Sequence, residues 1–517
     1  MTVGAIAAPA SRVRATQWVV PLLVAVVAVR VAGWAAATYL VGVFHDDGVY
    51  ALLARAIASG GGFHYSQLPG APAATHYPPL YPLVLAAAWR ISPEFPHNLS
   101  ALLGLNSLYV GAAAAGWWRF ATVRLAWSSG MAGAAALIAT LASPTLALSG
   151  ALLSESLFLA FLWPALLLCE REVDGPHHRR PWRAGVAIGA LMLVRTHALA
   201  LLLAVVAVLA WHRRWRDAAW VGAVAAAVQL PWLLWAHGAT PHVAAPLDGA
   251  YGSYLGWFFS GLFEGGAPFL LATMRVNAVE CWLLLQDRLA LGLPDSLRLV
   301  AVLIAAAAVV LGGVSMARRA RVTVVFLAAY MIILLAWPYA PWRFLWAVWP
   351  VVMLFALEGI RASWMAAGRW RIVPVLAAAL PALAFVRTEL HAYATRGWRT
   401  PARQATAQIA PVLAWARNNT APTDVLLGEG EAVLSLYADR KAAPPMSFTA
   451  REYLTPVDTA EGRARLGAML VAVPARYVVS LLPVTQEAAR ALTTTRPGLR
   501  EITRVPDSHA VVFEVVR

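Results

Sequence analysis

Long apolar runs recur along this chain, separated by short arginine-bearing segments, and this alternation constrains the fold more than any other feature. The first run extends from Trp18 to Val43, and others of similar character return until about residue 388. About 20 consecutive apolar residues cross the hydrocarbon core of a bilayer as a helix. In that solvent every backbone N–H and C=O must bond within the chain, so the runs must be helical. Composition agrees, with 60% of the 517 residues hydrophobic, 13% charged and a mean hydropathy of +0.64. The first run is longer than a signal-peptide core and is read as a retained first span.

The net charge of +15 is carried by arginine, since Lys441 is the only lysine. A nucleic-acid surface would cluster these charges on one soluble face. Here they occupy short loops, where basic residues hold loops in the cytoplasm, so no nucleic-acid partner is expected. With Arg12 and Arg14 inside, alternation places Arg119, Arg124, Arg179, Arg180, Arg214, Arg319, Arg321, Arg361 and Arg371 inside as well. The expected fold is a polytopic α-helical membrane protein of about eleven spans, within a range of roughly ten to thirteen.

The block 184–211 is flanked by basic loops at both ends, so it is predicted to split at Arg195-Thr196-His197 into a short helical hairpin. Residues 45–98 form a first outer loop with interfacial helices predicted at 47–59 and 79–90. Residues 238–295 form a second outer loop, with an interfacial helix near 268–285. Acidic residues become frequent after Glu389, helical periodicity covers 402–417, and strand-like runs lie at Asp424–Leu427, Tyr477–Leu482 and Ala510–Val516. The expected division is a membrane domain over 1–388 and a small soluble α/β domain over 389–517 on the extracytoplasmic face. The protein is expected to sit in the plasma (inner) membrane with its N-terminus in the cytoplasm. The 23 tryptophans suit the two membrane interfaces. Cys169 and Cys281 form no ligand or disulfide pattern and read as packing residues.

The residues that could carry chemistry cluster at the outer mouth. Asp46 and Asp47 follow the first span. They either cap the next helix, whose N-terminus favours negative charge, or supply a general base for transfer onto a hydroxyl. Adjacent carboxylates also raise each other's pKa and can share a divalent cation. Glu155 stands at the outer end of a span, either solvated or acting in the same outer cavity. His76 and Tyr77 precede a Pro-Pro step that fixes the loop. His76 with Asp46 is the candidate pair for a divalent metal ion, the one cofactor considered, although no HExxH or cysteine cluster accompanies it. Arg195 and Arg343 lie at span ends, where a guanidinium either snorkels to the interface or grips a lipid phosphate with its planar fork.

Taken in order, these residues resemble the GT-C superfamily of polyprenyl-phosphate-sugar-dependent glycosyltransferases. The group includes protein O-mannosyltransferases, the lipid A aminoarabinose transferase and RgtA/B/C/D-like enzymes. The motifs are Asp46-Asp47 with Tyr50, then His76-Tyr77-Pro78, Glu155 in Ser154-Glu155-Ser156-Leu157-Phe158, Arg195, and Arg343 through Pro350; the likeness spans about residues 15–390. It implies an inverting transferase that moves a sugar from a polyprenyl-phosphate donor to an acceptor hydroxyl outside the membrane. It also implies catalytic roles at Asp46, Asp47 and Glu155, with Asp46 the general base; the residues themselves suit Asp47 to a helix cap or to a metal and hydrogen-bond partner. Substrate contacts are implied at Tyr50, Tyr77, Arg195 and Arg343. The implied partners are the lipid-linked donor, a glycan, lipid or protein acceptor, and the bilayer. Asp47 stands where glutamate is common in the group, and Tyr77 where the aminoarabinose transferase has lysine. The competing class is a transporter or flippase of a lipid-linked intermediate, which would place its charges along a mid-membrane path.

Overall fold

The apolar runs form helices in the structure, a computed structural model that describes residues 10–36, 39–175, 180–289, 293–494 and 497–517. Arg179 and the side chains of Arg12 and Arg14 lie outside the described residues. Among the described residues, six helices are long and apolar enough to cross a membrane: Trp18–Ala35, Leu99–Arg124, Trp215–Gly238, Tyr254–Arg288, Asp295–Met316 and Gly368–Thr395. A seventh is counted if Ser129–Thr140 and Ser143–Ser149, bent by 60°, are one broken span. The block 184–211 breaks as predicted: Trp182–Met192 and Leu199–Trp211 flank an extended Arg195 and a turn of 3₁₀ helix. Asp46–Ala58 and Leu80–Ile91 fall within a residue of the helices predicted in the first outer loop. The chain is thus a multi-pass membrane protein.

Polar pairs tie the helix ends into two opposite groups. At one end Arg124 pairs with Asp174 and reaches the Arg319 carbonyl. Arg214 donates to the Val173 carbonyl at 2.6 Å, and Thr323 N donates to Glu170 at 2.8 Å. This is the arginine-rich end expected to face the cytoplasm. The other end carries the outer loops and the C-terminal sheet.

Tyr254–Arg288 has the length of a span, yet both of its ends belong to the sheet-bearing group. Tyr254 packs on His76, and Arg288 donates to Ser143 Oγ at 2.9 Å. Midway, Asn277 donates to the Trp337 carbonyl at 2.7 Å and accepts from Tyr453. The helix kinks at Gly266, where φ is +60°. Both of its ends thus join the sheet-bearing group, and it is longer than the predicted 268–285.

The C-terminal region builds a five-stranded sheet from β1 (Val425–Gly428), β2 (Lys441–Ala443), β3 (Tyr477–Ser480), β4 (Gly498–Arg504) and β5 (Val511–Val516), in the order β2-β1-β3-β5-β4. β1 is parallel to β2 and β3, and β5 is antiparallel to β3 and β4. Parallel neighbours need crossovers. Glu431–Ala438 supplies one between β1 and β2, and Thr459–Ala472 lies on the path from β2 to β3. The sequence pattern indicated β1, β3 and β5. It missed β2, which is only three residues long, and β4, whose Gly-Leu-Arg-Glu-Ile-Thr-Arg is mostly exposed and polar.

Candidate active site

The catalytic-loop candidate begins with a backbone irregularity. His45 has φ +61°, a conformation unusual for a side-chain-bearing residue. It lies at the turn that leads from Gly42 into the helix Asp46–Ala58, whose first two residues, the neighbouring aspartates, have different surroundings. Asp46 faces a cavity of about 460 Å³. Asp47 is 2% exposed and points back into its own loop, accepting from Gly42 N at 2.9 Å and Phe44 N at 3.1 Å. Asp47 does not line the cavity. These bonds agree with the hydrogen-bond role considered for Asp47 and hold the turn that presents Asp46. Burial pushes its carboxyl up to about 6, against the opposing pull of those backbone N–H groups.

Asp46 is held on both oxygens. The Tyr77 hydroxyl donates to Oδ1 at 2.8 Å, and Arg343 pairs with Oδ2. Burial alone would raise its carboxyl, but Arg343, His45 and Tyr77 outweigh burial and hold it at about 2. Asp46 is therefore ionised at any physiological pH. Arg343 also pairs with Glu155, and Arg195 Nη1 reaches the same Glu155 oxygen at 2.8 Å and Ser154 Oγ at 3.1 Å. Four charges form one balanced chain: Asp46, Arg343, Glu155, Arg195. Both arginines line the cavity, while Glu155 has no exposed surface and stands behind them. Such a buried charge is tolerated because it is paired twice. Tyr50 completes this wall, its hydroxyl 3.3 Å from Ser154 Oγ.

His76 lines the cavity but is committed elsewhere. Its Nδ1 bonds the Gly252 carbonyl at 2.8 Å, and its ring lies against Tyr254 at 3.5 Å between centroids. Burial lowers its pKa to about 4, so it is neutral. Among the described residues no group of three or more His, Cys, Asp or Glu side chains comes together in a metal-ligating arrangement. With both Asp46 oxygens taken by Arg343 and Tyr77, Asp46 and His76 do not present a fitting ligand set. Tyr77, expected to contact substrate, lines the cavity, and its hydroxyl donates to Asp46.

The opposite wall was not foreseen. Glu429, Gly430 and Glu431 follow β1, Pro444 to Phe448 follow β2, and Leu482, Val484 and Thr485 follow β3. The cavity thus opens at the carboxyl edge of the three parallel strands, where open α/β sheets bind ligands. Trp257 stacks on Phe448 and, with Trp337 and Tyr339, gives this space an aromatic side. Sequence reasoning also missed His45, whose ring nitrogen lies 3.0 Å from Glu431. No local pattern marks it, because its partner lies 386 positions further on.

Fold and site together define a multi-pass membrane protein with an anion-suited arginine pair and a carboxylate facing one cavity. Similar solved structures include two crystal structures of ArnT from Cupriavidus metallidurans. The one bound to undecaprenyl phosphate has a TM-score of 0.54 at 14% identity, covering 97% of this chain and 98% of that one. The apo form has a TM-score of 0.42 at 15% identity over the same shares. At this identity the likeness establishes the fold. No family model matches the sequence, and no curated protein matches it.

Proposed function

We propose that this protein is an inverting glycosyltransferase that moves a sugar from a polyprenyl-phosphate donor to an acceptor hydroxyl at the outer membrane face. The observation that carries the proposal is the shared guanidinium of Arg343, which bridges Asp46 and Glu155 on the cavity wall beside Arg195. A carboxylate next to two cavity-facing arginines suits a reaction that removes a proton and releases an anion. The ArnT structure of the same fold holds undecaprenyl phosphate, which supports this donor class.

In this reading the donor phosphate lies against Arg195 and Arg343, with its lipid tail between the helices. The phosphate takes a share of the Arg343 charge that Asp46 otherwise holds, so the carboxylate becomes more basic as the site fills. The acceptor oxygen attacks the anomeric carbon from the side opposite the phosphate. Its proton passes to Asp46 as the new C–O bond forms. The bond from the anomeric carbon to the phosphate oxygen breaks, and that electron pair stays on the phosphate, where the arginines stabilise it. Asp46 then returns its proton to solvent, which its low pKa in the unfilled site favours. Glu155 positions both arginines, Asp47 positions the loop, and no step passes through a metal. The N-terminus is cytoplasmic and the sheet extracytoplasmic, in keeping with the arginine-rich opposite end.

The test follows a labelled polyprenyl-phosphate sugar in detergent or vesicles. Wild-type protein releases polyprenyl phosphate in the presence of acceptor. Asp46→Asn lowers release by about 10²–10⁴-fold, the range for loss of a general base, while donor binding persists. Full turnover by Asp46→Asn would overturn the assignment.

A further inference from the structure

The catalytic loop is wound against the C-terminal domain rather than merely covered by it. Val41 N donates to Tyr437 Oη at 3.0 Å, and Ala442 N donates to the Gln67 carbonyl at 2.9 Å. A Cβ on Gly42 would stand 2.8 Å from Val433 Cγ2, and one on Gly48 would stand 2.6 Å from Ala432 Cβ. The glycines before and after Asp46 thus let the helix Glu431–Ala438 lie directly on the loop.

The first residue of that helix is the pivot. Glu431 is 3% exposed. Its Oε1 lies 3.0 Å from His45 Nδ1 and accepts from the Tyr251 hydroxyl at 2.5 Å. The Tyr251 carbonyl in turn accepts from Tyr65 Oη at 3.2 Å, and Tyr65 Oη accepts from His76 N. One carboxylate of the C-terminal domain therefore ties the first outer loop at His45 to the second at Tyr251, and through Tyr65 to His76. His45 is the strained residue whose backbone aims Asp46 into the cavity. A strained conformation persists only where its surroundings over-determine it, and Glu431 is the partner that holds this one.

We infer that Glu431 is a positioning residue for Asp46, so that the C-terminal domain completes the active site through the Glu431–His45 contact. This rests on the transferase reading above. Glu431 touches neither reacting atom; it fixes the rotation of the peptide that carries the base. Misplacing a reacting group by about 1 Å can cost on the order of a hundredfold in rate.

The experiment compares wild type, Glu431→Ala, Glu431→Gln and Asp424→Asn in the full-length protein. Asp424 pairs with Arg476 elsewhere in the same domain and controls for general damage. Turnover and donor KM are measured together with amide hydrogen exchange of residues 42–50. Glu431→Ala is expected to lower kcat at least about tenfold with donor KM changed less than twofold, and to speed exchange across 42–50. Glu431→Gln, which can still bond both Tyr251 and neutral His45, recovers turnover to within about threefold of wild type. Asp424→Asn keeps wild-type turnover and exchange. Wild-type kcat with unchanged exchange in Glu431→Ala overturns the inference. So does an equal loss in Asp424→Asn, or a fall in kcat matched by lost donor binding. If wild type itself releases no polyprenyl phosphate, the transferase reading fails, while the exchange data still report whether Glu431 holds the loop.

Discussion

Arg195 Nη1 lies 2.8 Å from Glu155 Oε1, and Glu155 has no exposed surface. The carboxylate neutralises this arginine together with Arg343, which Asp46 also neutralises. Removing the Glu155 charge leaves Arg195 as the uncompensated cation, and breaking a buried pair on one side costs about 3–5 kcal/mol. Glu155→Gln is expected to lower Tm. An anion that binds the arginines should then stabilise the variant more than wild type, so adding polyprenyl phosphate raises its Tm by the larger increment. Equal Tm values for the two proteins would refute this account.

Tyr77 separates two readings of the same side chain. A hydrogen bond to an ionised group contributes about 1.5–3 kcal/mol, and its hydroxyl donates to Asp46 at 2.8 Å. Tyr77→Phe is expected to lower kcat about tenfold with donor KM little changed. A raised donor KM at unchanged kcat would instead point to a donor-binding contact.

His45 gives stability a pH signature. Burial acts to lower its pKa, but Glu431, with smaller help from Asp46 and Asp47, raises it from 6.5 to about 9. A group whose pKa is raised on folding stabilises the native state fully below its unfolded value. That contribution disappears as pH rises through the folded value. The Tm gap between wild type and His45→Gln is therefore expected to be widest below pH 6.5 and to close above pH 9. A gap independent of pH across that window would count against the ion pair.

Gly48 tests the fit between loop and domain. Its Cβ would stand 2.6 Å from both Ala432 Cβ and Gly42 Cα. Overpacking of this kind costs about 1–3 kcal/mol. Gly48→Ala should lower both Tm and turnover, and adding Ala432→Gly should recover part of each. Loss of turnover without loss of Tm in the single variant would place the defect in chemistry rather than in docking.

The parts of this molecule that were legible in the sequence are those coded locally. Apolar runs and arginine loops gave the helices. The basic flanks of 184–211 gave the break at Arg195, because a membrane segment cannot hide an uncompensated guanidinium. The helix predicted near 268–285 extends over Tyr254–Arg288, because the Gly-rich stretch before Pro268 reads as loop. Of the site residues, Asp46, Tyr50, His76, Tyr77, Arg195 and Arg343 all line one cavity, and Glu155 stands directly behind it.

Sequence alone determined that this chain spans a membrane repeatedly and concentrates carboxylates and arginines at one end. Hydropathy and charge act residue by residue and need no knowledge of distant partners. Only tertiary structure decided which aspartate faces the cavity, because Asp46 meets Tyr77 and Arg343 there while Asp47 turns to the backbone N–H groups of Gly42 and Phe44. It also decided that Arg343 sits on Asp46 from 297 positions away, and that Glu431 grips His45 from the far end of the chain. Those pairings depend on how helices and sheet dock in space, which no local pattern of residues encodes.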